Sequence, residues 1–174
     1  MEVIYDTYPA PIGPIRLIAN SDGVLRVVLT PEHWEECLKD FPGLRRDPDG
    51  CAAAIGQLDE YFRGERREFD VPLVVAGPEF SRKVWAELRR IPFGTTRSYA
   101  EMAQLIGCPG GCRAVGQANR RNPLPIFIPC HRVIGKDGAL TGFAGKGYLG
   151  MKDYLLRMER GFRQEKPDSG ANLS

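Results

Sequence analysis

The chain has 174 residues, 43% of them hydrophobic and 26% charged, with a formal net charge of +2. That composition suits a soluble globular protein of one ordinary domain or two small ones, and no run reaches the roughly 18 apolar residues of a membrane span. The start "MEVIYDTYPAPIG" lacks a basic, apolar signal, and five cysteines without framework spacing read as free thiols, so the expected location is the cytoplasm.

Residues 1–30 read as strands. "VIYDTY", "PIRLIA" and "VLRVVL" are rich in β-branched residues and are separated by the turn signals "PAPIG" and "NSDG", giving an antiparallel meander of about three strands. "PEHWEECLKDF" follows Thr30, an N-cap residue, with Pro31 at the first helical position. "CAAAIGQLDEYFRG" has Ala54, Ile55, Leu58, Tyr61 and Phe62 at helical spacing and closes on Gly64, a C-cap signal. "EFDVPLVV" reads as a further strand, which Pro72 confines to an edge. A boundary is expected at "AGP", residues 76–78, giving domains of 1–77 and 78–160 and a polar, disordered tail over 161–174.

The second half reads as helices. "PEFSRKVWAELRRI" puts Phe80, Val84, Trp85 and Leu88 on one face and stops at Pro92 and Gly94. Ser98 and Glu101 form an S-x-x-E capping box at the start of "SYAEMAQLIG". "CPGG" breaks the chain before "CRAVGQANRR", a second short helix, so the pair has the outline of a helix-turn-helix. "GKDGALTGFAGKGYLG", with six glycines in sixteen residues, reads as a loop packed close to something, and "MKDYLLRMERGF" as a last helix. Charge divides the same way. Residues 1–77 carry 8 Lys+Arg against 14 Asp+Glu, residues 78–160 carry 14 against 6, and the second half is therefore the one suited to a polyanion such as nucleic acid.

Between the short helix and the glycine-rich loop stands "NPLPIFIPCHRVIG", residues 122–135. An apolar run among prolines should not end in a thiol, an imidazole and a guanidinium side by side. The thiolate is the reactive form of cysteine, and an ordinary thiol near 8.5 is only slightly ionised at neutral pH, so Cys130 needs a base or a nearby positive charge. His131 is adjacent, but neighbouring side chains on regular backbone do not face each other, so a bridging water is the easier proton route. Such a base needs an orienting acid, and Glu159 in the closing helix is a carboxylate the fold could bring beneath it. A lone Cys-His pair is otherwise more often an inert core pair.

The stretch "RAVGQANRRNPLPIFIPCHRVIGKDGALTGFAG", followed by "KDYLLRME", resembles the active-site region of the O6-alkylguanine-DNA alkyltransferases, also called methylated-DNA–protein-cysteine methyltransferases. The resemblance covers residues 78–160 strongly and 1–77 in general layout. It implies an α+β fold: an N-terminal ribonuclease-H-like antiparallel sheet with helices, then a mainly helical, winged helix-turn-helix-like domain. It further implies a suicide repair protein, without a cofactor, which binds double-stranded DNA carrying O6-alkylguanine through the minor groove as a monomer. Whether O4-alkylthymine is also accepted stays open. On that likeness Cys130 accepts the alkyl group, His131 is its base through water, Glu159 orients His131, and Asn122 braces the active-site turn. Arg113 fills the gap left by the extruded nucleotide, and Tyr99 helps rotate it out and favours protonation of the departing base. Ala114 and Gly116, with Ala118, let the helix lie close to the duplex. Backbone groups of Cys130, Val133 and Ala144 grip the guanine edge, Lys152 supports the site, and Arg132 is structural.

Three other readings compete. A damage-recognition or regulatory protein would bind alkylated DNA without transfer, and the presence of Cys130 argues against it. A transcription factor would need base-reading side chains where "RAVGQANRR" offers small ones. A cysteine hydrolase would turn over more than once. No metal is expected: His33 and Cys37 lie one helical turn apart, with Cys51, Cys108 and Cys112 available, but no paired CxxC spacing exists.

Overall fold

The computed structural model describes residues 1–140 and 148–165. They form two compact units. One consists of residues 1–77 joined by Pro123–Phe127; the other runs from Pro78 to Asn122 and resumes at Ile128. The five residues that lead toward Cys130 thus belong with the first unit, inside a span the sequence assigned wholly to the second.

In the first unit β1 (Ile4–Ala10), β2 (Gly13–Asn20) and β3 (Gly23–Val28) form the expected meander. A fourth strand, β4 (Arg45–Arg46), pairs parallel to β1, giving the order β3-β2-β1-β4. Successive side chains of a strand point to opposite faces. On central β2 this sends Ile18 to one face, where it clusters with Val28 and with Cys37 of α1 (Pro31–Asp40). Ile15 and Leu17 are sent to the other, where α2 (Pro48–Phe62) packs. Burial on both faces explains why "PIRLIA" is apolar without clean alternation. Thr30 caps α1 by accepting from His33 N at 3.2 Å.

α2 begins before Cys51, at Pro48, because the Asp47 carboxylate accepts from Gly50 N and caps it. "EFDVPLVV" does not form the expected strand; it makes one bridge, Leu73 to Val24, with Val24 N donating to Pro72 O at 2.9 Å. Pro72 has no N–H for a continuing ladder. The approach is also too close for a side chain at Gly23, whose φ is 145° and whose Cβ would stand 2.5 Å from Pro72 O.

In the second unit α3 (Glu79–Leu88) packs on α5 (Cys112–Arg120), and Trp85 Nε1 donates to Ala118 O at 2.8 Å. α4 (Tyr99–Leu105) starts on the capping box read from Ser98 and Glu101, both halves of which are formed. β5 (Arg97–Ser98) and β6 (Val133–Ile134) pair in parallel on either side of the helix-turn-helix α4–α5. α6 (Leu149–Glu165) closes the unit, so residues 161–165, expected in the tail, are its last helical turn. No helix among the described residues is long and apolar enough to cross a membrane.

Candidate active site

Pro129 ends the apolar run, and residues Cys130–Arg132 form a single 3₁₀ turn before β6. The turn resolves the problem of adjacent side chains: Cys130, His131 and Arg132 fan outward from one tight bend, all at 5% exposure or less. Backbone bonds fix it, with Cys130 N donating to Ile128 O at 2.7 Å and Arg132 N to Pro129 O at 3.0 Å. Asn122 Nδ2 donates to Ile128 O at 2.8 Å, and its side chain also hydrogen-bonds the Cys130 thiol.

Glu159 projects from α6 beneath this turn and is fully buried. His131 Nε2 lies 2.6 Å from its Oε2. Arg132 adds two bonds, Nε to Oε1 at 2.9 Å and Nη2 to Oε2 at 3.0 Å, while its Nη1 donates to Ile91 O at 2.8 Å. Gly94 N donates to Oε1 at 3.3 Å. Gly94 takes a φ of 78°, and a Cβ there would stand 2.7 Å from Arg163 Cδ, so only glycine brings that N–H to the carboxylate. A buried carboxylate is tolerated only when paired and hydrogen-bonded, and both oxygens of Glu159 are.

These contacts settle the charges. Burial pushes Glu159 up, but His131 and Arg132 outweigh it and hold the carboxyl below the usual range. Burial pulls His131 down against the pull of Glu159. The pair is an ionised Glu159, matched by the always-charged Arg132, and a neutral His131. Neutral imidazole then carries its proton on Nε2, donated to Glu159, and leaves Nδ1 as an acceptor. Nδ1 is buried and has no hydrogen-bond partner among the described residues.

Burial raises the Cys130 thiol, opposed by the Asn122 hydrogen bond and the charge of Lys152. Lys152, on α6 and fully buried, donates Nζ to Val133 O at 2.5 Å and sits 5.9 Å from the Tyr99 ring centroid. Its burial lowers its pKa to about 8, opposed by Cys130. One connected cluster therefore holds Cys130, His131, Glu159, Asn122, Val133, Lys152 and Tyr99.

Arg113 and Ala114 are exposed at the start of α5, on the outer face of the helix-turn-helix. Gly116 lies half-buried against Tyr99, where a Cβ would meet Cε1 at 3.8 Å. Ala118 corrects the sequence reading: it is 3% exposed and faces the core, not a partner. Ala144 lies outside the described residues. Among those residues no three His, Cys, Asp or Glu gather as a metal site.

Sequence reasoning missed two participants. Arg132 holds Glu159, which no spacing rule reveals. Asn119, buried at 1% exposure on α5, donates Nδ2 to Cys130 O at 3.2 Å. Its signal was legible as an asparagine one helical turn before Asn122.

Two family models match the chain: 6-O-methylguanine DNA methyltransferase, ribonuclease-like domain, over residues 3–75, and the DNA binding domain of the same family over residues 79–161. The constitutive methylated-DNA–protein-cysteine methyltransferase of Bacillus subtilis is 45% identical over 163 residues, covering 93% of this chain and 98% of its own. A Mycolicibacterium paratuberculosis methyltransferase of that name is 44% identical over 156 residues, covering 90% and 92%. The crystal structure of Mycobacterium tuberculosis O6-methylguanine methyltransferase superposes with a TM-score of 0.85 at 39% identity, covering 99% of each chain. The M. tuberculosis protein in complex with DNA gives 0.77 at 40% identity, covering 91% and 94%. With both halves matched and relatives this similar along nearly their whole length, the chain belongs to the 6-O-methylguanine DNA methyltransferase (methylated-DNA–protein-cysteine methyltransferase) family.

Proposed function

We propose that Cys130 is the residue that receives the alkyl group from O6-alkylguanine in double-stranded DNA, and that it does so once. The single observation that carries this reading is the buried relay at Cys130. Ionised Glu159 fixes the Nε2–H form of His131, so the free Nδ1 is available as a base.

The chemistry follows from the charges. The Cys130 proton leaves to His131 Nδ1 through water, and Glu159 stabilises the imidazolium that forms. The thiolate faces the Lys152 cation. Its sulfur attacks the alkyl carbon, a C–S bond forms, and the C–O6 bond breaks with its electron pair going to O6. The proton lost by the thiol is returned to guanine, whose protonation Tyr99 favours. A thioether is inert to water and to side-chain nucleophiles at neutral pH, so the reaction is stoichiometric.

A base inside a stack cannot reach a cysteine that is 5% exposed, and extrusion of the nucleotide is the way in. Exposed Arg113 and Ala114 suit a helix laid in the minor groove, with Arg113 filling the gap. Backbone groups of Cys130, Val133 and Ala144 hold the guanine edge. The protein works as a monomer on DNA, in the cytoplasm, in keeping with five free thiols.

Incubation of the protein with duplex DNA carrying O6-methylguanine, followed by peptide mass spectrometry, tests the reading. One methyl group should appear on the Cys130 peptide, with guanine restored and product stopping at one equivalent. Binding without transfer would instead mark a damage-recognition protein, and product beyond one equivalent a turning-over hydrolase.

A further inference from the structure

Two asparagines one helical turn apart reach the same bend from the end of α5. Asn122 Nδ2 donates to Ile128 O at 2.8 Å, and Asn119 Nδ2 donates to Cys130 O at 3.2 Å. The carbonyls they hold flank Pro129, which has no N–H and a fixed φ. Between them the two amides pin both ends of the peptide that aims the thiol. We infer that Asn119 is a positioning residue for alkyl transfer, fixing the Cys130 carbonyl and the direction of its side chain from the helix that presents Arg113 and Ala114.

The amide orientation is decided by chemistry. Turned the other way, Asn119 Oδ1 would face the Cys130 carbonyl, acceptor against acceptor. With Nδ2 as donor, Oδ1 is left buried with no partner among the described residues. A half-satisfied amide is a poorer core filler than leucine of similar volume. A local rule broken in this way marks a site held for use, and the compensating gain here is the fixed carbonyl. α5 also carries the exposed residues assigned to DNA, so one rigid element links duplex contact to the aim of the nucleophile.

The inference rests on Cys130 being the acceptor, and the experiment separates the two. Wild type and Asn119→Leu are compared in single-turnover transfer from a methylated duplex. Duplex affinity is measured with both chains in a Cys130→Ala background, and stability by thermal melting. Leucine removes the donor and the orphaned acceptor together, so a melting temperature equal to or above wild type is expected. Transfer should fall about ten- to a hundredfold, the scale of a misplaced reacting group, with duplex affinity unchanged. A purely structural asparagine would give the reverse: lower stability with the folded fraction reacting at the wild-type rate.

Wild-type transfer rates in a folded Asn119→Leu variant overturn the inference, and so does a rate loss fully matched by lost affinity. Should the variant not fold, the side-chain amide resonances of Asn119 in the wild-type chain decide. They should move when Cys130 is methylated by the O6-methylguanine duplex of the transfer assay, and resonances unmoved in a chain shown by mass to be methylated overturn it. Failure of the wild type to transfer at all would instead remove the proposed function.

Discussion

The site turns on one carboxylate. Glu159 accepts from His131, twice from Arg132 and once from Gly94 N, so its charge and its position are both fixed before any substrate arrives. Glu159→Gln keeps the shape but inverts the chemistry. The amide of glutamine donates where the carboxylate accepted, which favours an acceptor at His131 Nε2 and moves the imidazole proton to Nδ1. The base is then capped. Single-turnover transfer from methylated duplex should fall by about a hundredfold or more, the worth of a general base. Stability should fall by about 3–5 kcal/mol, because Arg132 is left buried without its counter-ion. A quench-flow rate within twofold of wild type would remove His131 as the base. At this scale the sequence carried Cys130, His131 and Glu159, since a reactive thiol requires a base and a base requires an acid. Arg132 was not legible as the holder of Glu159. Whether a cation beside a histidine points at solvent or at a carboxylate 27 positions away depends on how α6 docks.

Elements, rather than residues, explain the delivery of the thiol. In "NPLPIFIPCHRVIG" Ile126 adopts a φ of 76°, a conformation a β-branched side chain resists, at a cost of about 1–3 kcal/mol. It persists because the side chain is 1% exposed. Ile128 is equally buried and carries no such strain. Replacing either by glycine loses the same side chain, but only at 126 does glycine also relieve the backbone. Chemical denaturation should therefore find Ile126→Gly less damaging than Ile128→Gly by about 1–3 kcal/mol; equal losses would mean the strain is absorbed elsewhere.

α5 offers a second test. A Cβ at Gly116 would meet Tyr99 at ordinary contact distance, so the fold alone does not demand glycine. Gly116→Ala should raise stability by about 0.5–1 kcal/mol through helix propensity. It should also slow transfer from a methylated duplex, because the added methyl group lies against Tyr99, the residue assigned to rotating the nucleotide out; a more stable variant that reacts at the wild-type rate would remove that role from Tyr99. Helix starts were legible here because caps are local chemistry, as at Thr30 and Ser98. The strand expected over "EFDVPLVV" was not, because pairing needs a partner edge, and at the edge of β3 the segment meets Gly23 with a proline carbonyl and makes one bridge.

For the molecule as a whole, the buried cluster should write itself into the pH dependence of stability. His131 is held below its ordinary 6.5 and Glu159 below its ordinary 4.5. In each case the unfolded chain binds the proton more readily than the folded one, so stability rises with pH across the interval between the two values. Their contributions are complete above the unfolded values and are lost as pH falls toward the folded ones. Wild-type stability should hold between about 6.5 and 8, decline below 6.5 as His131 is forced to charge, and fall more steeply below 4.5 as Glu159 is forced to neutralise. Lys152, lowered to about 8, bears only on the alkaline side. The chain has two tryptophans, and Trp85 is 3% exposed in the unit that holds the cluster. Fluorescence in a Trp34→Phe background therefore reads that unit alone. In urea titrations from pH 7 to 4, His131→Gln should abolish the decline between 6.5 and 4.5 and keep the lower one. Glu159→Gln should remove the lower one. A wild-type midpoint that stays level from pH 7 down to 5 would mean that His131 takes up its proton as readily in the folded protein as in the unfolded chain, and that the fold does not hold the imidazole at Cys130 neutral; a midpoint that rises over that interval would mean that His131 is already charged when folded.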